Sequence, residues 1–99
     1  RTLHQYTAEN PFEIVYPAPG AKIYLPKDLS GKRQQGIFKA HHMNRQEQLH
    51  WHLDGHYLGH TQLFHEMAVD LREGWQKLVV VDTQGARQER WIRGISPNL

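Results

Sequence analysis

One stretch, LHWHLDGHYL at residues 49–58, carries the clearest structural pattern in the chain. Its apolar residues Leu49, Trp51 and Leu53 alternate with polar ones, which is the two-residue period of a β-strand with one buried face. The dipeptide Asp54-Gly55 follows directly and favours the left-handed backbone of a tight hairpin turn. The stretch therefore predicts a strand, a turn and a returning strand, with Trp51 as the largest apolar side chain of the core.

The composition predicts one small domain with a single modest core, because the chain has 99 residues and only 38% of them are hydrophobic. The formal net charge is +2, and the Lys and Arg residues are scattered among acids, so no nucleic-acid partner is predicted. The chain has no cysteine, which excludes disulfides and thiolate metal sites. No apolar run approaches the roughly 18 residues that span a bilayer, so we predict no membrane insertion by this domain.

Short alternating or β-branched runs, separated by turn-forming residues every 8–12 residues or so, predict about seven strands. The run at 77–82 is apolar on both faces and is predicted to be a central strand, whereas 86–93 carries charges on both faces and is predicted to form an exposed sheet edge. The predicted fold is an all-β, immunoglobulin-like antiparallel β-sandwich over residues 12–93. We expect a linker or frayed segment at 1–11 and a C-terminal tail at 94–99. Because the chain begins with Arg1 rather than Met, we also expect it to be a piece of a longer protein.

Residues 63–71 allow two interpretations. As a strand, the segment places Leu63, Met67, Val69 and Leu71 on one face, with His65 interrupting that apolar row. Three of these residues also recur at a four-residue spacing, so a short helix is the alternative. We favour the strand.

Histidine is over-represented, and four of the eight lie in an eleven-residue window: His50, His52, His56 and His60. On a strand, His50 and His52 lie on one face about 7 Å apart, a spacing that can chelate zinc or copper with a third ligand from His56, His60 or Asp54. The favoured interpretation is that they form the solvated face of the strand that buries Trp51. No metal ligand is therefore predicted.

Catalytic motifs are missing from the sequence. The serines Ser30 and Ser96 lie in turn-like or terminal contexts, and no Ser-x-x-Lys, Gly-x-Ser-x-Gly or Lys-Thr-Gly motif occurs. The acids do not pair in a spacing that suggests acid/base catalysis. We predict no catalytic residue, no cofactor and no enzymatic activity for this domain.

Two tryptophans lie outside the predicted core. An exposed Trp75 or Trp91 would be able to stack on a sugar ring or anchor a protein partner. The favoured interpretation is structural, with Trp91 covering a sheet edge and Trp75 packing on a turn.

Three segments together resemble a known family: PAPGAKIYLPKD at 17–28 with Gly31 and Gln34, WHLDGHYLG at 51–59, and Gly74 with LVVVDTQG at 78–85. In order and separation they are similar to the C-terminal domain of bifunctional penicillin-binding proteins of the 1C type, and the resemblance extends over roughly residues 12–92. It implies an accessory module of a class A peptidoglycan synthase. The parent chain would polymerise lipid II with a glycosyltransferase domain and cross-link stem peptides with a transpeptidase domain.

The resemblance also implies a location and partners. The parent protein would be anchored in the inner membrane, with this domain in the periplasm. The partners would be the rest of the parent chain, together with cell-wall synthesis proteins or peptidoglycan, and a protein contact is preferred. Two alternatives remain: a histidine-based metal-binding β-sandwich, and a sugar-binding module of unrelated parentage. The second alternative predicts that Trp75 or Trp91 is exposed in a groove.

Overall fold

The computed structural model describes residues 10–25 and 35–95, which form β-strands and turns without a helix. The strands are β1 (Phe12–Tyr16), β2 (Ala21–Tyr24), β3 (Gly36–His42), β4 (Gln48–Leu53), β5 (His56–Gln62), β6 (Glu66–Val69), β7 (Gly74–Asp82) and β8 (Arg87–Ile95). The predicted all-β class is confirmed, with eight strands in the described ranges. Most of the predicted linker and tail, residues 1–9 and 96–99, lies outside them.

The strands form two sheets that enclose one core. One sheet has three strands in the order β1-β3-β6, and the other has five in the order β2-β8-β7-β4-β5. The core takes side chains from both sheets, including Phe12, Phe38, Trp51 and Leu78, each with 0% exposure. Every neighbouring pair is antiparallel except β2 and β8, which are parallel. This two-layer arrangement is the predicted sandwich.

The β4–β5 hairpin forms as predicted. Leu49, Trp51 and Leu53 of β4 point into the core. Asp54 and Gly55 have φ angles of 50° and 80°, the positive values that both central residues of a type I′ turn require. The Asp54 carboxylate accepts hydrogen bonds from the Lys77 backbone N–H at 2.9 Å and from the Arg72 guanidinium at 3.0 Å. The turn is therefore fastened to β7.

The prediction that 86–93 forms a sheet edge is wrong. Strand β2 pairs in parallel with the second half of β8, residues 92–95, so β8 lies between β2 and β7. Its inward-facing Arg90 is accommodated because the guanidinium donates to the backbone carbonyls of Ile14, at 2.6 Å, and Pro17, at 3.2 Å. Charges on both faces of this segment therefore do not indicate an edge strand. The inward-facing charge, Arg90, is accommodated by backbone carbonyls in β1 and directly after it.

Residues 63–71 contain strand β6 and no helix, so the helical alternative is wrong. Val69 and Leu71 are buried as predicted, but Leu63 is 53% exposed. The Phe64 N–H donates to the Gln62 carbonyl at 2.8 Å and closes a γ-turn around Leu63, whose φ is 69°. This turn directs Leu63 outward, whereas the polar His65 is buried on the same face as Val69 and Leu71.

Candidate functional site

The outer face of the five-stranded sheet carries the two tryptophans that the sequence singled out. In the register of β7 and β8, Trp75 lies opposite Arg93 and Lys77 lies opposite Trp91. The alternate residues Gln76, Leu78 and Ile92 are buried, so the tryptophans point to solvent. Trp75 is 55% exposed and Trp91 is 52% exposed. Neither ring covers a sheet edge or packs as a turn residue. We call these four outward residues, Trp75, Lys77, Trp91 and Arg93, the tryptophan face.

Each tryptophan ring has a cation from the opposite strand against it. The Lys77 ammonium lies 5.8 Å from the centre of the Trp91 ring, and the Arg93 guanidinium carbon lies 6.0 Å from that of Trp75. Such cross-strand cation–π pairs are worth about 0.5–1 kcal/mol at exposed sites. These contacts hold the rings against the sheet. Binding a ligand then costs less side-chain entropy, because the rings are already ordered.

A shallow groove of about 440 Å³ runs beside Trp91. It is lined by His52, Asp54, Gly55, Lys77, Val79, Val81, Arg87 and Trp91. Val79 is only 9% exposed although it faces away from the core, because His52 and Glu89 flank it on the neighbouring strands. The groove thus combines apolar valines and an indole ring with polar groups, the composition expected of a small-ligand site.

The histidines of the hairpin lie at the β4–β5 side of the same sheet face. His50 Nδ1 is 3.0 Å from the Tyr57 hydroxyl, and its ring centre is 5.8 Å from that of His60. The His52 ring is 5.2 Å from the Tyr57 ring. Nowhere in residues 10–25 and 35–95 do three His, Asp or Glu side chains approach closely enough to hold a metal ion. The structure therefore brings His50 and His60 together without a third ligand among these residues.

His42 and Asp82 form a buried hydrogen-bonded pair that the sequence pattern did not indicate. His42 Nδ1 accepts the Asn44 backbone N–H at 2.9 Å, so Nε2 carries the proton and donates to Asp82 at 3.0 Å. The other oxygen of Asp82 accepts the backbone N–H groups of Gln84 and Ala86. This carboxylate therefore closes the β7–β8 turn, and the pair is structural. The alternation of Phe38, Ala40 and His42 along β3 is the sequence pattern that would have indicated an inward-facing His42.

A second buried histidine, His65, belongs to a chain of hydrogen bonds from the core. The Trp51 indole N–H donates to the Thr61 hydroxyl oxygen at 2.9 Å, and that hydroxyl lies 2.7 Å from His65 Nδ1. Burial lowers the pKa of His65 from its ordinary value of 6.5, and the nearby His42 and His41 lower it further. The neutral form of His65 is thus the one that its buried position favours.

Comparisons with known proteins agree with this architecture. The described residues hold no helix that is long and apolar enough to cross a membrane. The fibronectin(III)-like modules of CbhA from Clostridium thermocellum are structurally similar, with a TM-score of 0.61 over 88% of this chain and 99% of that chain. Their sequence identity of 12% shows a shared fold alone. A search of curated proteins finds no match.

A family model gives the more specific result. The model described as the Penicillin-Binding Protein C-terminus Family matches residues 1–93. This match spans nearly the whole chain, including the three segments on which the resemblance was based. The chain therefore belongs to the penicillin-binding protein C-terminus family.

Proposed function

We propose that this domain is a non-catalytic accessory module of a class A, 1C-type penicillin-binding protein, and that its tryptophan face binds peptidoglycan glycan. Family membership supports a bifunctional penicillin-binding parent. In this proposal the parent supplies glycosyltransferase and transpeptidase activities, and the domain holds it on the wall in the periplasm. The rest of the parent chain is then its constant partner.

The observation that carries the proposal is the exposed Trp91 ring beside the groove. A pyranose ring has an apolar face that stacks on an indole, and its hydroxyl groups need hydrogen-bond partners. The groove offers both, because Val81 and Trp91 supply apolar surface while His52 and Lys77 supply polar groups. Its volume of about 440 Å³ suits one small group rather than a long peptide segment.

The residues that line the groove also favour ligand binding over catalysis. The described residues around the groove include no serine, threonine or cysteine that would serve as a nucleophile. Their one carboxylate, Asp54, already accepts hydrogen bonds from Arg72 and from the Lys77 backbone. A group committed in this way is poorly placed to transfer protons.

The test is calorimetric titration of the domain with soluble peptidoglycan glycan strands. We expect Trp91→Ala to weaken binding at least tenfold, which is about 1.4 kcal/mol and within the range for a central aromatic contact. Phe64→Ala is the matched control, because it removes a ring that is 85% exposed but lies outside the groove. Equal affinity of the two variants, or no binding by the unmodified domain, would overturn the proposal.

A second candidate function is contact with a protein partner, the role that the sequence analysis favoured. It is favoured by the γ-turn at Leu63, where Leu63 and Phe64 are 53% and 85% exposed. This candidate predicts that Phe64→Ala weakens association of the domain with the remainder of the parent chain while Trp91→Ala does not. A pull-down of the two parts separates the candidates.

A further inference from the structure

Positive charge is concentrated on the two strands that carry the tryptophan face and on the adjacent strand β2. The outward positions of β2, β7 and β8 hold four cations and one carboxylate: Lys22, Lys77, Arg87, Arg93 and Glu89. The excess is three charges, compared with a formal net charge of +2 for the entire chain. This part of the surface is therefore more positive than the average for the protein.

Glu89 is shared between two of these cations. Its carboxylate lies 3.9 Å from the Lys77 ammonium and also accepts a hydrogen bond from Arg87. The 3.9 Å separation is beyond hydrogen-bond distance, so the Lys77 pairing is loose. One carboxylate cannot neutralise two cations. Lys77 and Arg87 both line the Trp91 groove, so positive charge remains at its rim.

Asp54, the one carboxylate among the described residues that line the groove, does not remove this excess either. Asp54 pairs with the Arg72 guanidinium at 3.0 Å and with the Lys77 backbone N–H, not with the Lys77 ammonium. Meanwhile the Lys77 ammonium stays 5.8 Å from the centre of the Trp91 ring. A negative group that reached Lys77 would therefore lie next to whatever stacks on Trp91.

We propose that the ligand of the Trp91 groove is an acidic glycopeptide, whose sugar stacks on Trp91 while a peptide carboxylate pairs with Lys77 and Arg87. This inference rests on the proposed function and adds a requirement to it. Peptidoglycan joins sugars to stem peptides that end in free carboxylates. The domain would therefore bind peptide-bearing glycan in preference to the same glycan without negative charge.

The experiment compares one disaccharide-peptide of peptidoglycan before and after its carboxylates are converted to amides. At low salt we expect the free acid to bind about twofold to fivefold more tightly, the range of an exposed charge pair. The difference should shrink as salt is added, because exposed charges are screened. Lys77→Gln and Arg87→Gln should each reduce the preference for the free acid. Arg87→Gln tests the charge by itself, because it leaves the contact between Lys77 and Trp91 in place.

Lys39→Gln is the control, because Lys39 is an exposed lysine on the other sheet. If the acid and the amide bind equally, or the amide binds more tightly, the carboxylate inference fails while the glycan proposal stands. If neither form binds, the proposed function itself fails. If Lys39→Gln reduces the preference as much as Lys77→Gln does, the charge effect is general and the inference is overturned.

Discussion

The two faces of the five-stranded sheet use tryptophan in opposite ways. Trp51 on β4 points inward, is fully buried and donates its indole N–H to Thr61. Trp91 on β8 points outward, is 52% exposed and is held by the Lys77 ammonium. Both residues obey the same two-residue period, so the face and not the residue type determines the role. The comparison predicts that Trp51 governs stability, whereas Trp91 governs binding.

The largest expected effect is on the inner face. Trp51→Ala should lower the free energy of unfolding by about 3–5 kcal/mol, because it empties the centre of the core and leaves Thr61 without its donor. Trp91→Ala should cost less than about 1 kcal/mol, since half of the ring is already in water. Urea unfolding of both variants measures the difference. Equal losses would remove the distinction between the two faces.

A smaller effect is expected where β8 packs against the β6–β7 connection. A Cβ added to Gly94 would collide with the backbone carbonyl of Arg72 and lie 3.0 Å from Leu25 Cδ1. The Gln76 side chain hydrogen-bonds both the N–H and the carbonyl of Arg72, so that backbone is held in place. We expect Gly94→Ala to cost about 1–3 kcal/mol.

Gly36→Ala is the control for Gly94→Ala. Its added Cβ would meet only side-chain atoms of Leu71 and Phe38, each at 3.4 Å. Thermal unfolding of the two variants should show the larger loss for Gly94→Ala. The reverse order would mean that the Arg72 backbone yields easily.

The smallest effect is a pH dependence that arises from His65. Because its pKa is lowered in the folded state, the unfolded chain binds more protons, and stability rises with pH in that window. The contribution of His65 to the free energy of unfolding is therefore fully present above its ordinary pKa of 6.5, and it is lost as the pH falls below that value. One such group changes the free energy of unfolding by at most about 1.4 kcal/mol per pH unit.

His65→Gln should flatten this dependence, and His56→Gln, which replaces a histidine exposed on β5, is the matched control. Urea unfolding of the two variants and the unmodified domain, between about pH 5 and about pH 7.5, measures how steeply the free energy of unfolding depends on pH. Equal slopes in the His65→Gln variant and the unmodified domain would show that other groups cause the acid sensitivity.

The inner face was predictable from the sequence because alternation and turn chemistry act locally. Leu49, Trp51 and Leu53 alternate cleanly, and Asp54-Gly55 marks the turn, so the central hairpin followed directly. The position of β8 was not predictable, because its parallel partner β2 lies about seventy residues away along the chain. The alternation does place His65 on the same face as Val69 and Leu71, but it does not indicate the γ-turn that directs Leu63 outward.

The candidate site was predictable only in part. Trp75 and Trp91 were identified as the aromatic residues outside the core. Their place on one sheet face, and the placement of Lys77 and Arg93 against them, depend on the β7–β8 register. Register is set by the turn and the buried face together, so sequence spacing alone does not give it.

An NMR titration of the backbone amides with soluble muropeptides tests directly whether the Trp91 groove binds peptidoglycan. We expect shifts clustered on the outward residues of β7 and β8 around Trp91, and on β4 near His52. Little change is expected on β1, β3 and β6, which form the other sheet. Shifts confined to that sheet or to the Leu63 turn, or no shifts at millimolar ligand, would contradict this proposal.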